Sequence, residues 1–211
     1  MFDILVFAVV FAVMFVQYKR GFEKTFRGFL SVVGGLICGI ILYAILGTIL
    51  NSTSLPGYFG GLIRADYLKT VSSGESVNRI YAALQSLPGE ESRRLFIGEV
   101  MVKFLSFIII FVISFIILQY VLKRMKFIKK VKVVRQLDGV VGGIIGLLQG
   151  FLLVYVTFAF LAVAKPIALS DSLEAQIMNG EMSRFVYEDN YIANIVSKQE
   201  YLSSESQNTQ N

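Results

Sequence analysis

The sequence predicts an all-α polytopic membrane protein. Four transmembrane helices form two hairpins, and short amphipathic helices lie outside the cytoplasm. Three observations predict this class. Hydrophobic residues make up 55% of the 211 and mean hydropathy is +0.65, beyond the apolar share of a soluble domain. Charged residues are only 17%, gathered between apolar runs instead of within them. The tetrapeptide VVGG occurs at 32–35 and again at 140–143, each time after a basic stretch and at the opening of a long apolar run.

The spans follow in order. Phe2–Val16 (FDILVFAVVFAVMFV) is the shortest, with Asp3 near its start. It lacks a basic segment before it and a small-residue cleavage site after it, so it reads as a retained span and not as a signal peptide. Phe29–Leu50, Phe104–Leu122 and Gly139–Ala164 each meet the roughly 20-residue requirement of a hydrocarbon core about 30 Å thick. The chain thus divides into a first transmembrane hairpin (1–50), an outer loop (51–99), a second hairpin (100–164), an amphipathic tail (165–197) and a disordered terminus (198–211). In the loop, Val77, Ile80, Tyr81 and Leu84 have helical spacing. Pro88-Gly89 ends that helix, and Glu90 and Glu91 start another that runs into the third span. In the tail, Leu173, Ile177, Phe185, Tyr191, Ile192 and Ile195 form apolar faces between acidic residues. Such faces suit the end of the bundle, the membrane interface or a partner.

Charge sets the orientation. Between the first two spans, Lys19, Arg20, Lys24 and Arg27 face only Glu23, and between the last two there are seven cations and Asp138. The 51–99 loop balances five against five, and the tail carries three cations and seven acids. The positive-inside rule places both short basic loops in the cytoplasm and both termini outside. Nucleic acid is not an expected partner, because no aromatic platform or binding motif accompanies the charge.

The glycines point to close helix packing. Gly35 and Gly39 in the second span, and Gly142, Gly146 and Gly150 in the fourth, recur at four-residue steps, with Gly139 and Gly143 on an adjacent row. Residues four apart share a helix face, and a ridge without side chains lets two backbones approach in lipid. The simplest expectation is that the second and fourth spans pack ridge to ridge. At their basic ends Asp138 is placed to cap its own helix, and a pair between Asp138 and Arg20 would join the hairpins.

No catalytic residue, cofactor site or metal site is expected. Histidine is absent and Cys38 is the only cysteine, which removes imidazole bases, cysteine metal clusters and internal disulfides. By the limits above, Asp3 is the only ionisable group inside a span, which argues against proton coupling.

The pattern resembles the colicin V production protein family. The resemblance rests on Asp3 in FDILV, on Arg20-Gly21-Phe22, and most on LDGVVGGIIGLLQG, Leu137 to Gly150, where Asp138 precedes stepped glycines. The chain departs from the family at Gln149, where members often carry a basic residue, and in a longer 51–99 loop. The resemblance implies a multi-pass protein of the bacterial cytoplasmic membrane, required for colicin V production and linked to envelope upkeep. The leading reading of the chain is a non-enzymatic scaffold. A small pore or transporter is the alternative. The partners it leaves open are the lipid bilayer, an envelope or secretion protein, and a second copy of the chain.

Overall fold

The computed structural model describes residues 2–73, 84–85, 87–124, 137–168, 171–188 and 190–196. Among them are eight helices: α1 (Phe2–Arg20), α2 (Phe22–Asn51), α3 (Leu55–Gly61), α4 (Ala65–Ser73), α5 (Glu90–Arg124), α6 (Asp138–Ala168), α7 (Asp171–Met178) and α8 (Glu181–Glu188). A last helical turn covers 191–196. Helices α1, α2, α5 and α6 are long and apolar enough to cross a membrane. Most of the 75–87 amphipathic segment, the second basic loop and the terminus from 197 lie outside the described residues.

The long helices outrun the apolar runs that signal them. Helix α5 begins at Glu90, directly after Gly89 in the left-handed region (φ 79°), and its 35 residues reach about 52 Å. Helices α2 and α6, with 30 and 31 residues, reach about 45 Å. Helix α1 has 19 residues and about 28 Å. One end of the bundle collects Lys19, Arg20, Lys24, Arg27, Lys123 and Arg124; this is the basic end. At the other end α2, α5 and α6 project beyond α1 and carry a helical head.

The tail folds back on the bundle. Helix α8 and the 191–196 turn lie against α6 beside the outer part of α1. Asn190 Nδ2 donates to the Tyr155 carbonyl at 2.9 Å, and the Tyr43 hydroxyl donates to the Ile195 carbonyl at 3.2 Å. Ile177, Tyr187, Ile192, Ala193 and Val196 are buried there. The loop contributes α3 and α4, which its composition did not announce. The α3 backbone lies directly on α5: a Cβ on Gly98 would strike the Pro56 carbonyl, whose carbon would be 2.8 Å away. Arg94 reaches back from α5 to the carbonyls of Gly60 in α3 (3.3 Å) and of Ile63 just after it (3.4 Å).

The packing of the spans corrects the ridge-to-ridge expectation. The dominant pairs are α2 with α5 and α1 with α6, with α2 also touching α6. A Cβ on Gly39 would lie 2.8 Å from the Phe107 ring, and one on Gly35 would lie 3.1 Å from the Phe111 carbonyl oxygen. Both glycines therefore meet the third span. Gly139 and Gly143 face Tyr18, while Gly142, Gly146 and Gly150 face Gln17, Met14 and Val10 of the first span. Physically, a groove without side chains accepts a ridge that has them; two grooves face to face would leave a void. Each glycine-rich span packs antiparallel on the first span of the other hairpin. That is the two-fold pattern a duplicated hairpin would give. Only 17% to 33% of each span's apolar window is buried, so most of that surface faces outward.

Candidate functional site

The basic end holds a polar junction built from all four spans. It starts at Gly21, which separates α1 from α2 with φ 77°. The turn is tight: Gly21 N–H donates to the Gln17 carbonyl and Thr25 N–H to the Gly21 carbonyl, both at 3.2 Å. The first turn of α6 sits on it, with a Cβ on Gly142 falling 3.0 Å from the Gln17 oxygen and 3.1 Å from the Gly21 carbonyl carbon.

Asp138 closes this junction, though not as the sequence suggested. Its Oδ1 accepts the Phe22 N–H at 2.9 Å, so the first residue of α6 caps the start of α2. Gly21, the α2 N-cap, has no side chain to do so. One carboxylate thereby serves two helix N-termini, its own and its neighbour's. Arg20 is exposed, and no Arg20–Asp138 ion pair exists among the described residues. The backbone N–H wins because Gly21 lets the chain approach; a Cβ there would collide with the Asp138 carboxylate, its Cγ 3.1 Å away. Gly21→Ala should therefore lose about 2 kcal/mol, from left-handed strain and the displaced cap. Asp138→Asn should lose less, since an amide oxygen still accepts. Thermal unfolding in detergent checks the order, and Gly21→Ala unfolding like the parent would remove the cap.

Deeper in the same end, Gln17 is buried at 6% exposure. Its Nε2 donates to Gln149 Oε1 at 3.1 Å, and the Thr25 hydroxyl lies 3.2 Å from both the Gln17 carbonyl and Oε1. Gln119 of α5 stands nearby without joining these bonds: its Nε2 and the Gln149 amide lie 4.0 and 3.8 Å from where a Gly28 Cβ would be. Three amides from three spans thus converge on Thr25 and Gly28 of the fourth. Gln149, which departs from the resemblance drawn above, is here the acceptor for Gln17. A missed sequence signal was available: Gln-Tyr precedes the cations in both hairpins, as Gln17-Tyr18 and Gln119-Tyr120.

The head holds the second polar locus. The Asp3 carboxylate accepts the Ser183 N–H at 2.8 Å and so caps α8, while the Ser183 hydroxyl donates to the Ile177 carbonyl at 2.7 Å. The first residues of the chain are thereby tied to its tail. Lys165 and Lys103, buried at 5% and 9% exposure, lie one residue outside the apolar limits that left Asp3 as the ionisable group within a span, because α5 and α6 run past those limits. Lys165 Nζ lies 2.6 Å from both carboxylate oxygens of Glu174 and 5.8 Å from the Tyr67 ring centroid. Burial, reinforced by Glu174, holds the Tyr67 phenol well above its ordinary pKa, so it stays protonated.

These two loci join the sequence motifs in space: Asp3 to Ser183, and Gly21-Phe22 to Asp138. A family model described as colicin V production protein matches residues 2–183, which contain every one of these residues. The chain belongs to the colicin V production protein family. It is a multi-pass membrane protein of that family, with four helices able to span. No curated protein and no solved structure matches it. In this chain Gly21-Phe22 and Asp138 meet at one helix junction, and Asp3 caps α8.

Proposed function

We propose that this family member is a non-enzymatic membrane scaffold, acting in colicin V production and export or in envelope maintenance. It sits in the bacterial cytoplasmic membrane with its basic end in the cytoplasm and its head and both termini outside. The observation that carries this reading is where the buried core lies. Ile63, Tyr67, Leu68, Leu84, Phe96, Ile97, Val100 and Met101 are buried in the head, together with Ile177, Tyr187 and Val196 of the tail. A chain that needed only to pass through the bilayer would not order so many residues outside it. The head also exposes Tyr58 (65%), and the tail exposes Phe185 (66%) and Tyr191 (66%), the aromatic types that anchor protein interfaces.

Photo-crosslinking in cells from Tyr58 and Phe185 tests the reading. Capture of an envelope or secretion protein from the head, and not from Ile144 in the lipid-facing surface, is the expected result. The buried Gln17 and its half-buried partner Gln149 favour a second reading, a small pore. Solute or ion flux above empty liposomes would support it and displace the scaffold.

Orientation is tested separately on a Cys38→Ser background. Tyr58→Cys should react with an impermeant thiol reagent in intact cells and Lys24→Cys should not. The reverse pattern would invert the topology.

A further inference from the structure

We propose that the surface formed by α5 and α2 around Gln119 at the basic end binds the head group of an anionic phospholipid in the leaflet that faces it. Gln119 stands at the edge of the α2–α5 contact, where its Nε2 would lie 4.0 Å from a Cβ on the buried Gly28. The Gln149 amide lies 3.8 Å from the same point and spends its Oε1 on Gln17. Gln119 hydrogen-bonds no described residue. Amide hydrogens at membrane depth require acceptors, and the ester and phosphate oxygens of a lipid are acceptors only.

The shape of α5 around Gln119 matches such a ligand. Val112, Ile116, Gln119 and Lys123 follow at steps of four, three and four, hence on one helix face. Val112 and Ile116 are exposed at 44% and 59%, and Lys123 is exposed. The face therefore reads, from the bilayer toward the basic end, as two apolar side chains, an amide and a cation, the order of acyl chain, ester and phosphate in a lipid. Gln119 lies five residues, about 7 Å, from the end of α5. The antiparallel α2 brings Lys24 and Arg27 to the same level, against one acid, Glu23, which pairs with Arg27 at 3.5 Å. Arg124 lies over the Tyr120 ring at 4.6 Å. Basic pockets between spans are the usual form of anionic head-group sites. A soluble phosphate ester would use the cations but not the apolar part of the stripe.

The test uses the full chain in neutral detergent doped with phosphatidylglycerol or phosphatidylcholine, read by native mass spectrometry and thermal shift. Phosphatidylglycerol should be retained and raise the melting temperature, and phosphatidylcholine should not. Lys123→Gln and Lys24→Gln should each weaken retention about fivefold, the worth of one cation at the membrane surface. Gln119→Leu should weaken it at least as much, and the head cation variant Lys69→Gln should leave it unchanged. The proposal is overturned by equal retention of the two lipids, by parent-like Gln119→Leu and Lys123→Gln, or by an equal loss in Lys69→Gln. It is also overturned if glycerol phosphate alone reproduces the shift, since the ligand is then a free phosphate ester. Lys24 and Lys123 are exposed, so their variants fold irrespective of the outcome.

Discussion

Gly146→Leu should separate the first span from the last. A Cβ at this position would already lie 2.6 Å from Gln17 Cβ and 3.2 Å from the Met14 Cα. The second distance is to backbone, which no rotamer change relieves. Even Gly146→Ala should therefore cost about 1–3 kcal/mol, the usual range for overpacking, and leucine more than 3. In lipid the lost approach has no hydrophobic substitute, because bilayer chains are as apolar as the side chains they replace. The same displacement would pull Gln17 away from Gln149 and break their hydrogen bond. A disulfide reads the pairing directly: a Gly150 Cβ would lie 3.4 Å from Val13 Cβ, close to bridging distance. On a Cys38→Ser background, Val13→Cys with Gly150→Cys should crosslink efficiently, and adding Gly146→Leu should abolish the crosslink. Ile144→Leu, at an exposed position of the same helix, should change neither crosslink nor melting temperature. Crosslinking that survives Gly146→Leu would mean that α1 and α6 do not depend on the ridge.

The contrast between glycine and its partner explains what a sequence of this kind discloses. The four spans were legible because an apolar run of about 20 residues has few alternatives. That the glycines form ridges was legible from their four-residue steps. Which helix fills each ridge was not, because Phe107 and Phe111 have no sequence link to Gly39 and Gly35; the pairing is set by the shape of whole helix faces. The junction failed for a different reason. Asp138 has charged neighbours in sequence terms, so Arg20 looked like its partner, yet the true donor is a backbone N–H, which carries no residue signature. The head was read least well. LPGYFGG has the composition of a loop, and α3 is helical because it packs on α5 and is capped by Arg94, a tertiary cause. Lys165 and Lys103 fell just beyond the ends of apolar runs. Helix α6 continues through Lys165 because α7 supplies Glu174, nine residues on.

That buried pair sets the second large effect. Removing one member of a buried ion pair leaves the other charge without its counterion, which costs about 3–5 kcal/mol. Lys165 has a side chain only 6% exposed and Glu174 19%, so the lysine is the less able of the two to recover water. Glu174→Gln should therefore be the more damaging single change, close to the upper end of that range, and Lys165→Met somewhat milder. Because the pair joins α6 to α7, hydrogen exchange should quicken first in α7 and α8, while the α2 and α5 amides stay protected. The Asp3 cap on Ser183 should loosen with them. Combining Lys165→Met with Glu174→Leu should restore stability to within about 1 kcal/mol of the parent, since apolar replacement of a whole buried pair is often neutral. The double-mutant cycle then reports a strong coupling. Single variants that each unfold within about 1 kcal/mol of the parent would mean that water reaches the pair, and that the tail is held to the bundle by the packing of Ile177 and Tyr187 instead.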